Sequence, residues 1–244
     1  MNAEKKLLGE MSLNSAVMAV GGVNKGHTEL FSIYKKLYAH FGSQRWWPAD
    51  TPFEVMIGAI LTQNTSWQNV EKAIRNLKKH DLLVPERLRR ASVSKLSRCI
   101  RPSGYYNLKA KRLKSFLGFF FSSYKGKVGR MRKGSCAKLR RELLCVKGIG
   151  PETADSILLY ALDKPVFVVD AYTRRIFSRH RLIKKDADYA SIQSLFMRRL
   201  PRNAKVFNEY HALLVRLAKD VCLKNNPRCN ICPLESLGKR GAYA

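Results

Sequence analysis

Apolar residues recur at intervals of three and four along most of the chain. Between Glu29 and Phe41 the positions Leu30, Phe31, Tyr34, Leu37, Tyr38 and Phe41 trace one face of a helix that Gly42 is placed to stop. Thr51 before Pro52 predicts a helix start, with Phe53–Leu61 apolar on every side and therefore buried. Ser66 precedes a stripe of Trp67, Val70, Ala73, Ile74 and Leu77; Ser94 precedes Leu96 and Ile100; Leu113, Phe116, Leu117, Phe120, Phe121 and Tyr124 form a wider stripe. Later faces are Leu139, Leu143 and Leu144, then Ile157, Leu158 and Ala161, then Val206 through Val221 behind a capping Asn203. Val166–Val169 reads as strand but is too short and solitary for a sheet. The pattern predicts an all-α protein of about ten helices joined by short loops.

Charge adds a partner to this picture. The 244 residues carry 46 Lys and Arg against 18 Asp and Glu, a formal charge of +28. Such a chain repels cationic ligands and collects polyanions, nucleic acid foremost. With 45% hydrophobic and 10% aromatic residues it has the apolar surface to fold, which argues against disorder. The bases are concentrated: Arg101 to Gly150 holds 14 Lys or Arg and one acid, Glu142. No apolar run approaches the ~18 residues of a spanning helix, so a soluble, cytoplasmic, nucleoid-associated monomer with no membrane partner is expected. Residues 1–24 read as a disordered extension; Glu10 and Asn14 interrupt any secretory signal. Six unevenly spaced cysteines suit a reducing compartment, with Cys99, Cys136 and Cys145 expected in the core.

Two features carry chemistry. Val146-Lys147-Gly148-Ile149-Gly150 joins two helices as a G-x-G hairpin at a helix N-terminus, where close backbone approach and the positive dipole end favour a phosphate. An ordinary tight interhelical turn has the same pattern. Asp170 ends the run Val166–Val169; it could cap the following helix, face developing positive charge on a sugar, or do both.

Leu61-Thr62-Gln63-Asn64-Thr65, Gly148-Ile149-Gly150 followed by Thr153-Ala154, and Val168-Val169-Asp170 stand in the order and at the spacings of the endonuclease III superfamily. The chain resembles these helix-hairpin-helix DNA glycosylases from about residue 30 to the C-terminus. The resemblance implies a two-domain, all-α fold with the active site in the interdomain cleft. A six-helix domain would cover 53–165, with the helix-hairpin-helix at about 135–162, and a second would join 25–52 to 166–244 and end in a Cys-rich loop at 222–238. It also implies double-stranded damaged DNA as partner and Asp170 as catalytic aspartate. The 146–150 hairpin, with Lys147, Gly148, Ile149 and Gly150, would grip the backbone of the lesion strand, Gln63 would wedge into the gap left by the extruded nucleotide, and Asn64 and Thr153 would also bind DNA.

Two residues after Gly150, endonuclease III itself has a lysine that forms a Schiff base; here stands Glu152, which cannot. This implies a monofunctional, water-using enzyme. Trp46-Trp47-Pro48, Arg101 to Asn107 and Gly150 to Asp155 look most like the 3-methyladenine glycosylases of the superfamily. That places Trp46, Trp47, Pro48 and Glu152 in the lesion pocket, with one of the two indoles facing a cationic base. The alternatives are an endonuclease III-like enzyme for oxidised pyrimidines and a non-catalytic DNA-binding module. Cys222, Cys229 and Cys232 match three of the four ligands of the superfamily's 4Fe-4S cluster, the fourth place being Gly238. Cluster and no cluster both stay open, with zinc behind them.

Overall fold

Helices form where the apolar stripes predict them. The computed structural model is described for residues 25–44 and 46–237, so the expected extension at 1–24 and Gly238 lie outside the described residues. In chain order the helices are α1 (Lys25–Phe41), α2 (Pro52–Leu61), α3 (Trp67–Lys79), α4 (Pro85–Arg90), α5 (Val93–Cys99), α6 (Tyr106–Tyr124), α7 (Val128–Arg132), α8 (Cys136–Leu144), α9 (Pro151–Ser156), α10 (Ala171–Arg179), α11 (Tyr189–Arg199) and α12 (Ala204–Asp220). Short 3-10 turns occupy Arg101–Ser103, Cys229–Ile231 and Glu235–Leu237, and α9 runs into a π-helical turn, Ile157–Ala161. The fold among the described residues is all-α.

Local chemistry explains the helix starts. Thr51 Oγ1 accepts from the Glu54 amide at 3.1 Å ahead of Pro52, and Asn203 Oδ1 accepts from the Lys205 and Val206 amides at 2.8 and 3.3 Å. Ser92, not Ser94, caps α5, its hydroxyl accepting from the Lys95 amide at 3.1 Å, so that helix starts earlier than its apolar stripe suggests. Ser66 precedes α3 without a side-chain cap bond. Val166–Val169 makes no strand: it is an extended, buried connection, 0 to 4% exposed.

The chain divides into two compact units: one runs from Arg45 to Asp170, and the other joins residues up to Gln44 with those from Ala171 onward. The borders fall at 45 and 171 rather than at the expected 53 and 166. The physical reason is packing, since Trp47 lies against Gly58 of α2 and Phe167 and Val168 are buried.

The split unit packs α1 against α11 and α12, and α10 against α12. Tyr210 of α12 is fully buried; its ring meets Tyr34 at 5.4 Å and its hydroxyl donates to the Leu30 carbonyl at 2.8 Å, which satisfies that buried polar atom.

In the continuous unit every residue of α2 after Pro52 is buried, as a helix apolar on all sides requires, and α2 packs on α3, α6 and the π turn. Lys109 of α6 is also buried, 1% exposed. Its ammonium donates to the Leu61 carbonyl at 2.9 Å and the Ser103 carbonyl at 2.6 Å, so it ties the end of α2 to the 101–103 turn. Burial, with Arg112 beside it, pulls this lysine down to about 8. The carbonyl ends of two helical segments offset part of the cost of keeping a cation there.

Candidate active site

Four aromatic rings of the continuous unit meet at one place. Trp47 is their centre: its ring lies 5.7 Å from Trp46, 5.1 Å from Trp67 and 5.1 Å from Tyr160. Trp46 also lies 5.1 Å from Trp67. The two adjacent indoles share one cluster, and of the two it is Trp47 that lines the cavity beside it, in keeping with the expectation that one of them faces a pocket. Gly58 makes the room; a Cβ there would come within 3.3 Å of Trp47 Cζ2. A cavity of about 370 Å³ opens beside the rings, lined by Trp47, Pro48 and Trp67 together with Glu54, Gly58, Glu71, Ile74, Arg75 and Lys78. Trp67 Nε1 donates to Glu71 Oε1 at 2.7 Å, which fixes the indole and sets a carboxylate at its edge. Trp67 and Glu71 were hidden in the sequence, where Trp67 counted only as the start of an amphipathic helix.

Tyr160, in this cluster, lies within electrostatic range of Asp170. Its phenol is pushed well above the usual value, first by burial and then by the nearby Asp170 charge, so it stays a neutral hydroxyl. Asp170 itself is half-buried at the end of the buried 166–169 segment, which gives the carboxylate a firm mount.

The hairpin forms where expected, though its two glycines do different work. Gly148 has φ +89, and a Cβ there would overlap the Arg112 stem, 2.9 Å from Cδ and closer still to Cγ. Gly150 has φ −93 with nothing within 4 Å of where a Cβ would stand, so neither backbone strain nor a protein neighbour demands it. Val146 and Ile149 are buried, 7% and 4% exposed, and pin the turn to the core, while Lys147 projects into solvent. Arg140 of α8 holds the fully buried Asp155 of α9 through two bonds, 2.7 and 3.1 Å, locking the two hairpin helices together.

Gln63 is tied into the hairpin. Its Nε2 donates to the Gly148 carbonyl at 3.0 Å and Thr153 Oγ1 at 2.9 Å, while Arg112 donates to its Oε1. Thr153 is buried, 6% exposed, and its hydroxyl serves as an internal strut. Asn64 is exposed in the left-handed region, φ 51, and Glu152 is exposed in the first turn of α9. Tyr105, within the Arg101–Asn107 motif but given no role by the sequence reading, is 70% exposed at φ 46 on the loop that Lys109 ties to the end of α2.

Residues 57–202 match the HhH-GPD superfamily of base excision DNA repair proteins. The chain belongs to this superfamily. It is a DNA N-glycosylase of base excision repair. A Methanocaldococcus jannaschii protein that carries the provisional name DNA repair glycosylase is 50% identical over 208 residues, 84% of this chain and 94% of the relative. The Helicobacter pylori 3-methyladenine DNA glycosylase, solved with 1,N6-ethenoadenine, is 32% identical with a TM-score of 0.68, covering 78% of this chain and 97% of that one. A trapped covalent endonuclease III–DNA intermediate shares the fold at 21% identity and TM-score 0.75, over 86% of this chain and 94% of that one.

The C-terminal thiols lie in the split unit. Arg179 donates to Cys222 Sγ at 3.2 Å and to the Leu223 and Lys224 carbonyls at 2.6 and 2.7 Å, and Arg175 to the Cys222 and Ala218 carbonyls at 2.9 and 3.0 Å. Cys222 is buried, and burial is the first cause pushing the Cys232 thiol up. Among the described residues no group of three or more His, Cys, Asp or Glu side chains is placed to hold a metal ion, although Cys222 and Cys229 lie near enough to act electrostatically on Cys232. Of the three cysteines expected in the core only Cys99 is buried; Cys136 is half-buried and Cys145, at the exposed end of α8, faces solvent. No helix among the described residues is long and apolar enough to cross a membrane.

Proposed function

We propose that this glycosylase hydrolytically removes alkylated purines of the 3-methyladenine type from double-stranded DNA and leaves an intact strand with an abasic site. The observation that carries the reading is the continuity of Asp170, Tyr160, Trp47 and Trp67 in one unit. A purine methylated at N3 is cationic and leaves readily, so the enzyme needs aromatic faces more than an acid. The cluster supplies the faces, and Glu71 sets a carboxylate at the edge of one of them. The H. pylori relative, a 3-methyladenine enzyme by name and solved with a modified adenine, supports the same class of base.

In this mechanism the damaged nucleotide leaves the stack at a cost of a few kcal/mol, lowest for a poorly paired base. Lys147 and the main chain of Gly148–Gly150 hold the strand's phosphates. Gly150, with no protein atom where its side chain would be, leaves space for that approach. Asp170 stabilises positive charge on the sugar as the base departs and orients the attacking water. Tyr160, held as a phenol, adds no charge that would compete. Glu152 offers no amine for a Schiff base, so strand cleavage does not follow.

The test is a panel of duplexes containing 3-methyladenine, 7-methylguanine or an oxidised pyrimidine, assayed for breaks before and after alkali. Breaks that appear only after alkali, on the methylated purines, are expected. Breaks without alkali, or a borohydride-trapped adduct, would contradict the hydrolytic reading and return the endonuclease III-like one.

A further inference from the structure

Gln63 and the hairpin are usually two ideas, one group that enters the duplex and another that holds its backbone. Here a single side chain touches both. The Arg112 guanidinium, on the third residue after Lys109 along α6, donates to Gln63 Oε1, and its aliphatic stem lies across the bare α-carbon of Gly148. Guanidinium can only donate, so its bond fixes which end of the Gln63 amide faces it and turns Nε2 toward the Gly148 carbonyl and the Thr153 hydroxyl. Lys109, one turn away, holds the main chain at Leu61, two residues before Gln63. The amide is thereby determined at both ends.

We propose that Arg112 is a positioning residue that couples the phosphate-gripping hairpin to Gln63. When the hairpin closes on a strand, the displacement of Gly148 reaches the Gln63 amide directly through its own bond and indirectly through the Arg112 stem. Gln63 is then presented to the duplex only on a gripped backbone. This rests on Gln63 entering the gap left by the extruded nucleotide. The competing account is that Arg112 binds a phosphate like any basic residue of this charged segment.

The two accounts separate in a double-mutant cycle of Arg112→Met and Gln63→Ala. Each protein is titrated onto a duplex carrying a stable abasic analogue beside 2-aminopurine, whose fluorescence rises as its stacking is broken; no base is released, so a wrong lesion assignment leaves the readout intact. Arg112→Met is expected to weaken the fluorescence transition about tenfold in the Gln63 protein and to change nothing further in Gln63→Ala. The slope of log affinity against log salt on undamaged duplex should stay the same. Arg112→Lys keeps the charge without the planar fork and should remain as impaired; it also carries the cycle should Arg112→Met not fold, as checked by urea unfolding. Additive effects, a salt slope reduced by about one, or full recovery in Arg112→Lys would make Arg112 a phosphate contact and overturn the proposal. A signal unchanged by Gln63→Ala would overturn its premise.

Discussion

Within the continuous unit the hairpin region and the aromatic cluster are built by opposite means. Around the hairpin, position is set by directional bonds and buried charge: Arg140 on Asp155, Arg112 on Gln63, Gln63 on Gly148 and Thr153, Lys109 on two carbonyls. Around Trp47 it is set by ring against ring, with the Trp67–Glu71 bond as a polar tie at the edge of the cluster. Directional bonds have one good geometry, which suits an element that must meet a phosphate spacing common to all DNA. Ring contacts have several geometries of similar energy, which suits an element that must accept one base shape and can be retuned by single substitutions. On the proposed function, grip and choice are thus separable in the same unit.

The largest effect expected falls between the two regions. Asp170→Asn keeps both the rings and the hairpin but loses the charge proposed to face the sugar, so single-turnover base release should drop about 10³-fold while affinity for lesion duplex changes little. Surviving release would remove Asp170 from its role and break the link between the cluster and the chemistry.

A smaller effect sharpens the contrast in buried charge. The Lys109 ammonium sits at about 8 in the folded protein, well below its value in an unfolded chain. From about pH 8 to 10 the folded state has released a proton that the unfolded state still holds, so stability rises with pH, by an amount of order 3 kcal/mol for this group. Below pH 8 both states hold the proton and the cost of burial is fully felt. Urea unfolding of Lys109→Met should lack that rise; an unchanged pH dependence would mean the ammonium is better solvated than its burial implies.

The same contrast explains what could be read from the sequence. Thr51, Asn203 and Gly148 announce themselves because a cap or a left-handed turn is a local demand met by few residue types. The hairpin followed from such demands, and Asp170 from its place after a buried run. The cluster did not, since Trp47, Gly58, Trp67 and Tyr160 meet across more than a hundred positions and no local rule links them. Arg112 looked like one base among 14 because only the fold lays its stem over Gly148. Val166–Val169 read as strand because a buried extended connection has the same composition; with no partner strand among the described residues its start is held locally instead, Val166 N donating to the Lys164 carbonyl at 2.8 Å.

The separation of grip from choice is tested most directly by two single substitutions measured on two DNAs. Gly148→Ala pushes a Cβ into Arg112 at a left-handed position, and Trp67→Ala removes one ring. Affinity for undamaged duplex and the ratio of 3-methyladenine to 7-methylguanine excision are then compared with the parent protein. Gly148→Ala should lower affinity on both DNAs about tenfold and leave the ratio alone, whereas Trp67→Ala should keep affinity for undamaged duplex and shift the ratio by a similar factor, each a change of about 1–2 kcal/mol. If both substitutions move affinity and ratio together, the two regions act as one and the account fails.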